Sequence, residues 1–283
     1  MILVTGATGR VGRDVVSGLH ALGCQVVGMA RNPATAHSVL PGFAHRIANY
    51  DDPEALQQAF TGIDKLVFIA SDGDANSVAR HHAKIIKAAA ATSVPHIIFT
   101  SIIDCDASSP FYFAPVYRES ERWLLGSAID CTILRCGLYS DFIVENWVKP
   151  AEITGEMILP TGAGRVAPIS RKDLAAAIAA VAAGPRRANK AFIITGQHAL
   201  SFAEIASLYE TINARPMRYR PCSNEDYRRL IAPQLQAPWP QAFCSLGTAI
   251  AEGRWQSASQ DFKNITSRGP ESFGEFLIRT KCR

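Results

Sequence analysis

Met1-Ile-Leu-Val-Thr5-Gly6-Ala-Thr-Gly9-Arg-Val-Gly12 is the stretch on which the fold turns. Five β-prone residues run straight into three glycines spaced three apart. Val11, Val15, Leu19 and Leu22 then recur at helical spacing until Gly23 closes the stripe. A strand passing through such a turn into an amphipathic helix starts a βαβ unit. The glycines let the backbone turn tightly, come close to a diphosphate and pack helix against strand. The helix's unpaired N–H groups and positive end then face the phosphates. A glycine triplet alone is a weak signal, and a turn of this kind can bind nothing. Its place between a buried strand and an amphipathic helix makes a dinucleotide site the stronger reading.

The end of the second strand selects the dinucleotide. An NAD binder usually places Asp or Glu there, about 20 residues past the glycines, to accept from the ribose 2′-hydroxyl. The sequence instead runs Val27-Gly-Met-Ala-Arg31-Asn32. A guanidinium at Arg31 forks naturally onto a 2′-phosphate, and Arg10 inside the turn adds a second positive charge. NADP (NADPH) is therefore expected ahead of NAD; the competing reading makes Arg31 a solvated loop residue.

Outward from the turn, short apolar runs alternate with helical patterns. Residues 1–5, 25–30, 46–49, 66–70, 96–101, 131–135 and 191–195 are rich in Val and Ile and continuous rather than alternating. Strands buried on both faces of a parallel sheet look like that. Asp52-Pro53-Glu54, Ser170 ahead of Asp173, and Ser201-Phe-Ala-Glu204 mark helix starts. The repeated order predicts an α/β fold: a Rossmann-type doubly wound parallel sheet with a smaller, mainly helical C-terminal lobe. Residues 1–136, completed by 167–196, are expected to form the dinucleotide-binding domain. Residues 137–166 and 197–283 are expected to form the substrate-binding lobe. Pro becomes frequent after Thr195, where the strands are expected to stop.

The chain's 283 residues are 48% hydrophobic and 19% charged, enough for a large core without staples. Lys and Arg number 29 against 25 Asp and Glu, and a net charge of only +4 removes nucleic acid as a default partner. Arg215-Pro-Met-Arg218-Tyr-Arg220 and Arg228-Arg229 are short runs beside Glu225 and Asp226, which fits a solvated face. The 7 Cys are scattered without a Cys-x-x-Cys, and Cys131 and Cys136 sit at an odd offset on one strand. Reduced thiols in the cytoplasm fit better than disulfides or zinc. No apolar run approaches the ~18–20 residues that cross a bilayer. No basic, cleavable leader is visible, so a cytoplasmic location without a membrane partner is expected. His81-His82 lacks the Glu of a zincin pair, so no metal is expected, and one of the two imidazoles should face solvent. No Gly-x-Ser-x-Gly elbow occurs, which removes an α/β-hydrolase.

Several stretches together resemble a known family. Gly6–Gly12, Ala30-Arg31-Asn32-Pro33, Tyr50-Asp51-Asp52-Pro53, Thr132-Ile-Leu-Arg135 with Gly137-Leu-Tyr139, and Ile169-Ser-Arg-Lys-Asp173 carry the likeness. They are similar to an atypical short-chain dehydrogenase/reductase, more narrowly to the NmrA-like group that includes bacterial NAD(P)H:quinone reductases and triphenylmethane reductases. The likeness runs across almost the whole chain, as far as Ile194-Thr-Gly196 and Leu200-Ser-Phe-Ala-Glu204. The resemblance implies that Gly6, Thr8, Gly9, Arg10, Val11 and Gly12 hold the pyrophosphate and Arg31 the 2′-phosphate. It implies further that Ile69, Ala70 and Ser71 line the adenosine-ribose and pyrophosphate path, and that Thr100 and Ser101 approach the nicotinamide side. Members commonly carry an Asp reaching the adenine amino group where this chain has Asn49, whose carbonyl can still accept that bond.

Ordinary short-chain dehydrogenases pair a Tyr with a Lys four residues later, the Lys lowering the Tyr pKa. The matching stretch here is Tyr117-Arg118-Glu119-Ser120-Glu121, with Glu121 in place of Lys. A carboxylate raises a neighbouring phenol's pKa, which leaves Tyr117 a poor general acid and suits a partly buried aromatic at a helix start. No catalytic side chain is assigned. Reducing a simple ketone makes a basic alkoxide, for which a placed acid is worth ~10²–10⁴ in rate. Quinones and cationic conjugated dyes give delocalised or neutral products that water protonates afterwards, so the main demand is to hold the acceptor against the nicotinamide. An NAD(P)H-dependent reductase of a small conjugated electrophile is therefore expected.

An acceptor pocket should be apolar, aromatic and near the strands' carboxyl ends. Phe111, Tyr112, Phe113, Tyr139, Phe142 and Trp147, in the loops after the fifth and sixth strands, are the candidates, with Phe111, Tyr112, Tyr139 and Phe142 preferred. Tyr139 leads because it follows the Arg135-Cys-Gly137 strand end directly. The alternative is a non-catalytic NADP-binding redox sensor of the NmrA type, which the missing Tyr/Lys pair allows equally. A monomer or a homodimer is compatible with both.

Overall fold

The structure, a computed structural model, describes residues 1–281 in two compact units. The first comprises Met1–Ile102, Val116–Arg135 and Lys172–Phe192; the second comprises Ile103–Pro115, Cys136–Arg171 and the chain from Ile193 onward.

The first unit is built on β1 (Ile2–Val4), β2 (Val26–Ala30), β3 (His45–Ile47), β4 (Lys65–Phe68), β5 (His96–Ile102) and β6 (Asp130–Cys136). They lie in the order β3-β2-β1-β4-β5-β6, and the strand Lys190–Ile194 completes a seven-stranded sheet. All seven expected strands are present. The pairs from β3 to β5 are parallel, with Leu3 opposite Val27 on one side and Leu66 on the other. Every residue of β1 and β2 is buried, which is why their apolar runs do not alternate. α1 (Arg10–Ala21), α2 (Pro33–Val39), α3 (Pro53–Phe60) and α4 (Ala75–Ala91) follow the first four strands in turn, and α5 (Ala114–Leu125) follows β5. Leu3, Leu66, Phe68 and Phe99 pack with Leu56, Phe60 and Ile85 of α3 and α4 in one core. Each such side chain contributes about 1.5–3 kcal/mol on burial. Lys65 crosses to the end of helix Arg171–Ala183, where its ammonium donates to the Ala182 and Gly184 carbonyls at 2.7 and 2.6 Å. A cation there offsets the negative end of the helix. The sheet winds outward in both directions from β1 and β4, and in open α/β sheets such a reversal of strand order is where ligands bind, beyond the carboxyl ends.

Helices carry most of the second unit, but strands do not stop after Thr195, which corrects the expectation from sequence. Arg218–Pro221 runs parallel to Glu156–Leu159, with Tyr219 opposite Met157, and Leu200–Ser201 lies antiparallel to Arg165–Val166. Arg218, Arg220 and Pro221 face water, so no apolar run marks the strand. The loop Ile103–Pro115 packs within this unit, although by chain order it follows β5. Its aromatics explain that: the Phe111 ring meets Trp255 edge-on at 5.6 Å and Phe113 lies 6.1 Å from Trp239. Among the described residues no helix is long and apolar enough to cross a membrane, and no group of three or more His, Cys, Asp or Glu could hold a metal ion.

Candidate functional site

Gly6 follows β1 with a φ of 58°, a region glycine enters without steric cost. Its carbonyl accepts the Gly9 N–H at 2.9 Å. A Cβ on Gly12 would collide with that carbonyl and come within 2.8 Å of the Ala7 Cα. α1 starts from Gly9, which supplies no side-chain cap, and its first turn holds no acid. α2, α3 and α4, by contrast, are capped by the side chains of Asn32, Asp52 and Asp74. No side chain caps the start of α1, where helix N–H groups suit an anion, and Thr8 and Val11 lie half-buried beside it. Thr5 ties the turn to β4: its hydroxyl accepts the Ile69 N–H at 3.0 Å and donates to the Ile69 carbonyl at 3.3 Å.

Arg31 stands exposed after β2 with no carboxylate partner among the described residues, and Arg10 is exposed at the start of α1. Asn49 is exposed too, but its carbonyl already accepts the Asp51 N–H at 3.1 Å, so one lone pair is spent before any adenine contact. Tyr50, to which the sequence reading assigned no role, is buried beside Gly6. Its hydroxyl lies 3.9 Å from where a Gly6 Cβ would stand, and burial pushes its phenol pKa up. Ile69 walls the same spot at 3.8 Å, and the Ala70 N–H donates to Thr100 Oγ1 at 2.9 Å. The Ser71 hydroxyl meets His81 Nδ1 at 3.2 Å, and His81 Nε2 lies 3.7 Å from Asp51. Lys84 at 2.6 Å and Arg80 at 3.2 Å hold the Asp51 carboxyl down at about 2.

The two histidines divide as the sequence expectation had it only in part: His82 is buried, while His81 is partly exposed rather than open to solvent. The His81 side chain is 16% exposed, and His82 is wholly buried, its Nδ1 2.7 Å from Ser120 Oγ and its ring edge-on to Phe68 and Phe99. Successive helix residues lie about 100° apart, so the buried face of α4 takes His82 with Val78, Ile85, Ile86 and Ala89 and leaves His81 at its margin.

At the end of β5 the two hydroxyls are committed inside the protein. Thr100 Oγ1 accepts from Ala70 and donates to the Phe68 carbonyl at 3.4 Å, stitching β5 to β4. Ser101 donates to Glu121 Oε1 at 2.6 Å. Glu121 is 4% exposed and clamped by Arg135, Nε to Oε1 at 3.0 Å and Nη2 to Oε2 at 2.6 Å. Tyr117, half-buried in the first turn of α5, packs against Phe99 and His82. Burial raises the Cys131 thiol to about 11 and Cys136 to about 12, which keeps both protonated and unreactive.

Phe111, Tyr112, Tyr139 and Phe142 are half-buried members of the second unit. Tyr139 bridges to Ile169, and the Arg171 guanidinium lies 5.7 Å over its ring. Phe142 stacks on Phe243 with centroids 5.5 Å apart, and the Tyr112 N–H donates to Ser245 Oγ at 3.0 Å. Trp147 offers no face to a ligand: it is 4% exposed in the π-helical turn Val144–Val148 and donates to the Tyr227 hydroxyl at 3.1 Å. A cleft of about 400 Å³ in this unit is lined instead by Glu145, Glu152, Tyr209, Arg215, Phe276 and Lys281, among others, and by none of the four preferred aromatics. Asp104, which no sequence pattern marks, is buried in the same unit; burial raises its carboxyl pKa, and the Ser109 hydroxyl donates to it at 2.6 Å.

Sheet order and glycine turn together define a Rossmann-type dinucleotide-binding protein. The chain matches the model of the NAD(P)H-binding family over residues 6–185 and belongs to that family. It is similar to quinone oxidoreductase 2 of Escherichia coli, 33% identical over 233 residues, which is 80% of this chain and 79% of that protein. An NAD(P)H azoreductase of Xenophilus azovorans is 29% identical over 223 residues, 77% of this chain and 76% of its own. Among solved structures, triphenylmethane reductase of Citrobacter sp. complexed with NADP(H) superposes with a TM-score of 0.91 at 27% identity, over 99% of each chain. The NADPH-dependent quinone oxidoreductase of Escherichia coli complexed with NADPH gives 0.91 at 28%, over 99% of this chain and 100% of that one.

Proposed function

We propose that this chain is an NADPH-dependent reductase that passes hydride to a small conjugated acceptor, quinone or dye-like, without a Tyr/Lys proton donor. Gly6, Thr8, Gly9, Arg10, Val11 and Gly12 hold the diphosphate, Arg31 takes the 2′-phosphate, and Asn49 serves the adenine. Ile69, Ala70 and Ser71 line the path between, and Thr100 and Ser101 stand on the nicotinamide side. The residues fit such a ligand: a turn with no room for a Cβ, a helix start without a cap, and an exposed guanidinium with no carboxylate partner among the described residues. Once bound, the reduced nicotinamide supplies the hydride.

The observation that carries the acceptor class is the set Ser101, Glu121 and Arg135. Ser101 spends its proton on Glu121, and Glu121 spends both oxygens on Arg135. That set has no proton to hand to a developing alkoxide, and a placed donor is worth ~10²–10⁴ in rate. A quinone or a conjugated cation does not need one, because charge in the product is delocalised or cancelled. Relatives named for quinones, azo compounds and triphenylmethane dyes support the same class. Phe111, Tyr112, Tyr139 and Phe142 supply stacking faces for the acceptor. The protein works in the cytoplasm, where its buried thiols stay reduced, as a monomer or homodimer.

The test mixes purified protein and NADPH with benzoquinone, naphthoquinone, a triphenylmethane dye and a simple ketone, and follows nicotinamide absorbance. Oxidation by the conjugated acceptors and not by the ketone is expected. Tight NADPH binding with no oxidation by any acceptor would overturn the reading in favour of a redox sensor. Ketone turnover at a comparable rate would overturn the acceptor class.

A further inference from the structure

Ser71, His81 and Asp51 come from three places in the first unit: just beyond β4, the second turn of α4, and the loop before α3. They meet beside the glycine turn. His81 Nδ1 is 3.2 Å from Ser71 Oγ, and its Nε2 is 3.7 Å from Asp51 Oδ2. The His81 ring lies 5.3 Å from the Tyr50 ring, whose hydroxyl reaches the wall of Gly6. Besides Asp51, the ionisable neighbours of His81 are Tyr50 across the rings and Arg80, His82 and Lys84 on α4.

We propose that His81 is a positioning residue of the dinucleotide cradle, setting the Ser71 hydroxyl for the ligand's phosphates and taking up a proton as they arrive. This rests on the NADP-binding reading above. Only a protonated nitrogen faces a carboxylate favourably, so neutral His81 keeps its hydrogen on Nε2 toward Asp51 and accepts the Ser71 proton on Nδ1. Ser71 then presents lone pairs, the wrong polarity for a phosphate. When a proton from solvent adds to Nδ1, that nitrogen donates to Ser71 Oγ and frees the hydroxyl hydrogen for a phosphate oxygen. The imidazolium adds a positive charge at the same time.

Burial holds that proton off, with Arg80 and Lys84 adding to it and Asp51 opposing. Phosphate charge beside the ring reverses the balance. Binding and protonation are therefore linked, and affinity rises as pH falls through the titration of His81.

Calorimetry of NADP⁺ binding to the wild type and to His81→Gln, across about pH 5.5 to about pH 8 and in two buffers of different ionisation heat, tests this. The ligand's own phosphomonoester titrates near pH 6 in both proteins, so the difference between their profiles belongs to His81. The wild type should take up protons on binding and gain roughly tenfold in affinity over His81→Gln between the two ends of the range. The two proteins should be nearly equal at the alkaline end, where the glutamine amide can still bond Ser71. Asp51→Asn, the second variant, should move the wild-type inflection to lower pH. Parallel profiles and equal proton uptake in all three proteins, with NADP⁺ bound, would overturn the role of His81 and leave the NADP reading standing. No NADP⁺ binding by the wild type would overturn both.

Discussion

The Ser101 hydroxyl sits 2.6 Å from the Glu121 carboxylate, at the position where a dehydrogenase of ordinary type would hold a lysine. Arg135 closes the other side of that carboxylate, so the pair is a buried structural joint. Glu121→Gln should therefore cost stability. Removing one partner of a buried pair costs about 3–5 kcal/mol; Arg135 keeps 38% of its side chain in water, so about 1–3 kcal/mol is expected here. Urea unfolding of wild type and variant measures it, and an unmoved midpoint would contradict the joint.

Gly12→Ala should abolish dinucleotide binding while the protein stays folded. The added methyl collides with the Gly6 carbonyl, so the turn must open and the α1 donors swing off their line. A loss of at least about 100-fold in NADPH affinity is expected, since several charge-assisted bonds are made at once. Fluorescence titration decides it; an affinity within a few-fold of wild type would remove the turn from the site.

Arg31→Ala should separate the two nicotinamide dinucleotides. The guanidinium has no carboxylate partner among the described residues, so its loss leaves no stranded charge. Hydrogen bonds to charged groups contribute about 1.5–3 kcal/mol, which predicts a roughly 10- to 100-fold weaker NADPH complex and an NADH complex little changed. An unchanged ratio of the two dissociation constants would clear Arg31 of any part in the choice.

Tyr139→Ala should raise the KM for a quinone without changing NADPH affinity, because the side chain is assigned to the acceptor. Loss of one aromatic face costs about 0.5–1.5 kcal/mol beyond its buried area, so a several-fold rise is expected. A steady-state series with a separate NADPH titration reads both numbers, and an unaltered KM would count against the assignment.

Acid should weaken the fold through His82. Burial holds this imidazole neutral, with a pKa lowered to about 3. The unfolded chain takes the proton near pH 6.5, so it binds more protons than the folded one below that value. The stabilisation is complete above about pH 6.5 and is lost as pH falls toward 3, at a slope approaching 1.4 kcal/mol per pH unit. Urea unfolding between about pH 7 and about pH 4 should show that slope, and His82→Gln should flatten it. Equal slopes would mean other groups govern acid sensitivity.

The sheet was legible because its strands are continuous apolar runs: Ile2–Val4 and Val26–Ala30 bury every residue. The strand Arg218–Pro221 was not, since three of its four residues face water and periodicity has nothing to register. In the site, Gly12 and Arg31 could be placed from local order alone. Glu121 was visible as a departure from a pattern, but its clasp by Arg135 depends on a pairing between α5 and β6 that no local signal encodes. Ser71, His81 and Asp51 each stand in stretches the sequence singled out for other reasons, but nothing local joins them; their meeting appears only when the end of β4, α4 and the loop before α3 converge. Trp147 shows the opposite limit: an aromatic beside a pocket-lining loop whose indole is spent on Tyr227.

The first unit takes its final stretch, Lys172–Phe192, only after the chain has left it and returned. Lys65 binds carbonyls at the end of the helix within that stretch, and the strand Lys190–Ile194 covers the outer edge of β6. A fragment stopped at residue 135 would strand an ammonium and bare a sheet edge prone to clumping. Recombination between cousins of this protein therefore cannot trade either unit as one continuous cassette, because a single crossover anywhere within residues 103–192 divides both.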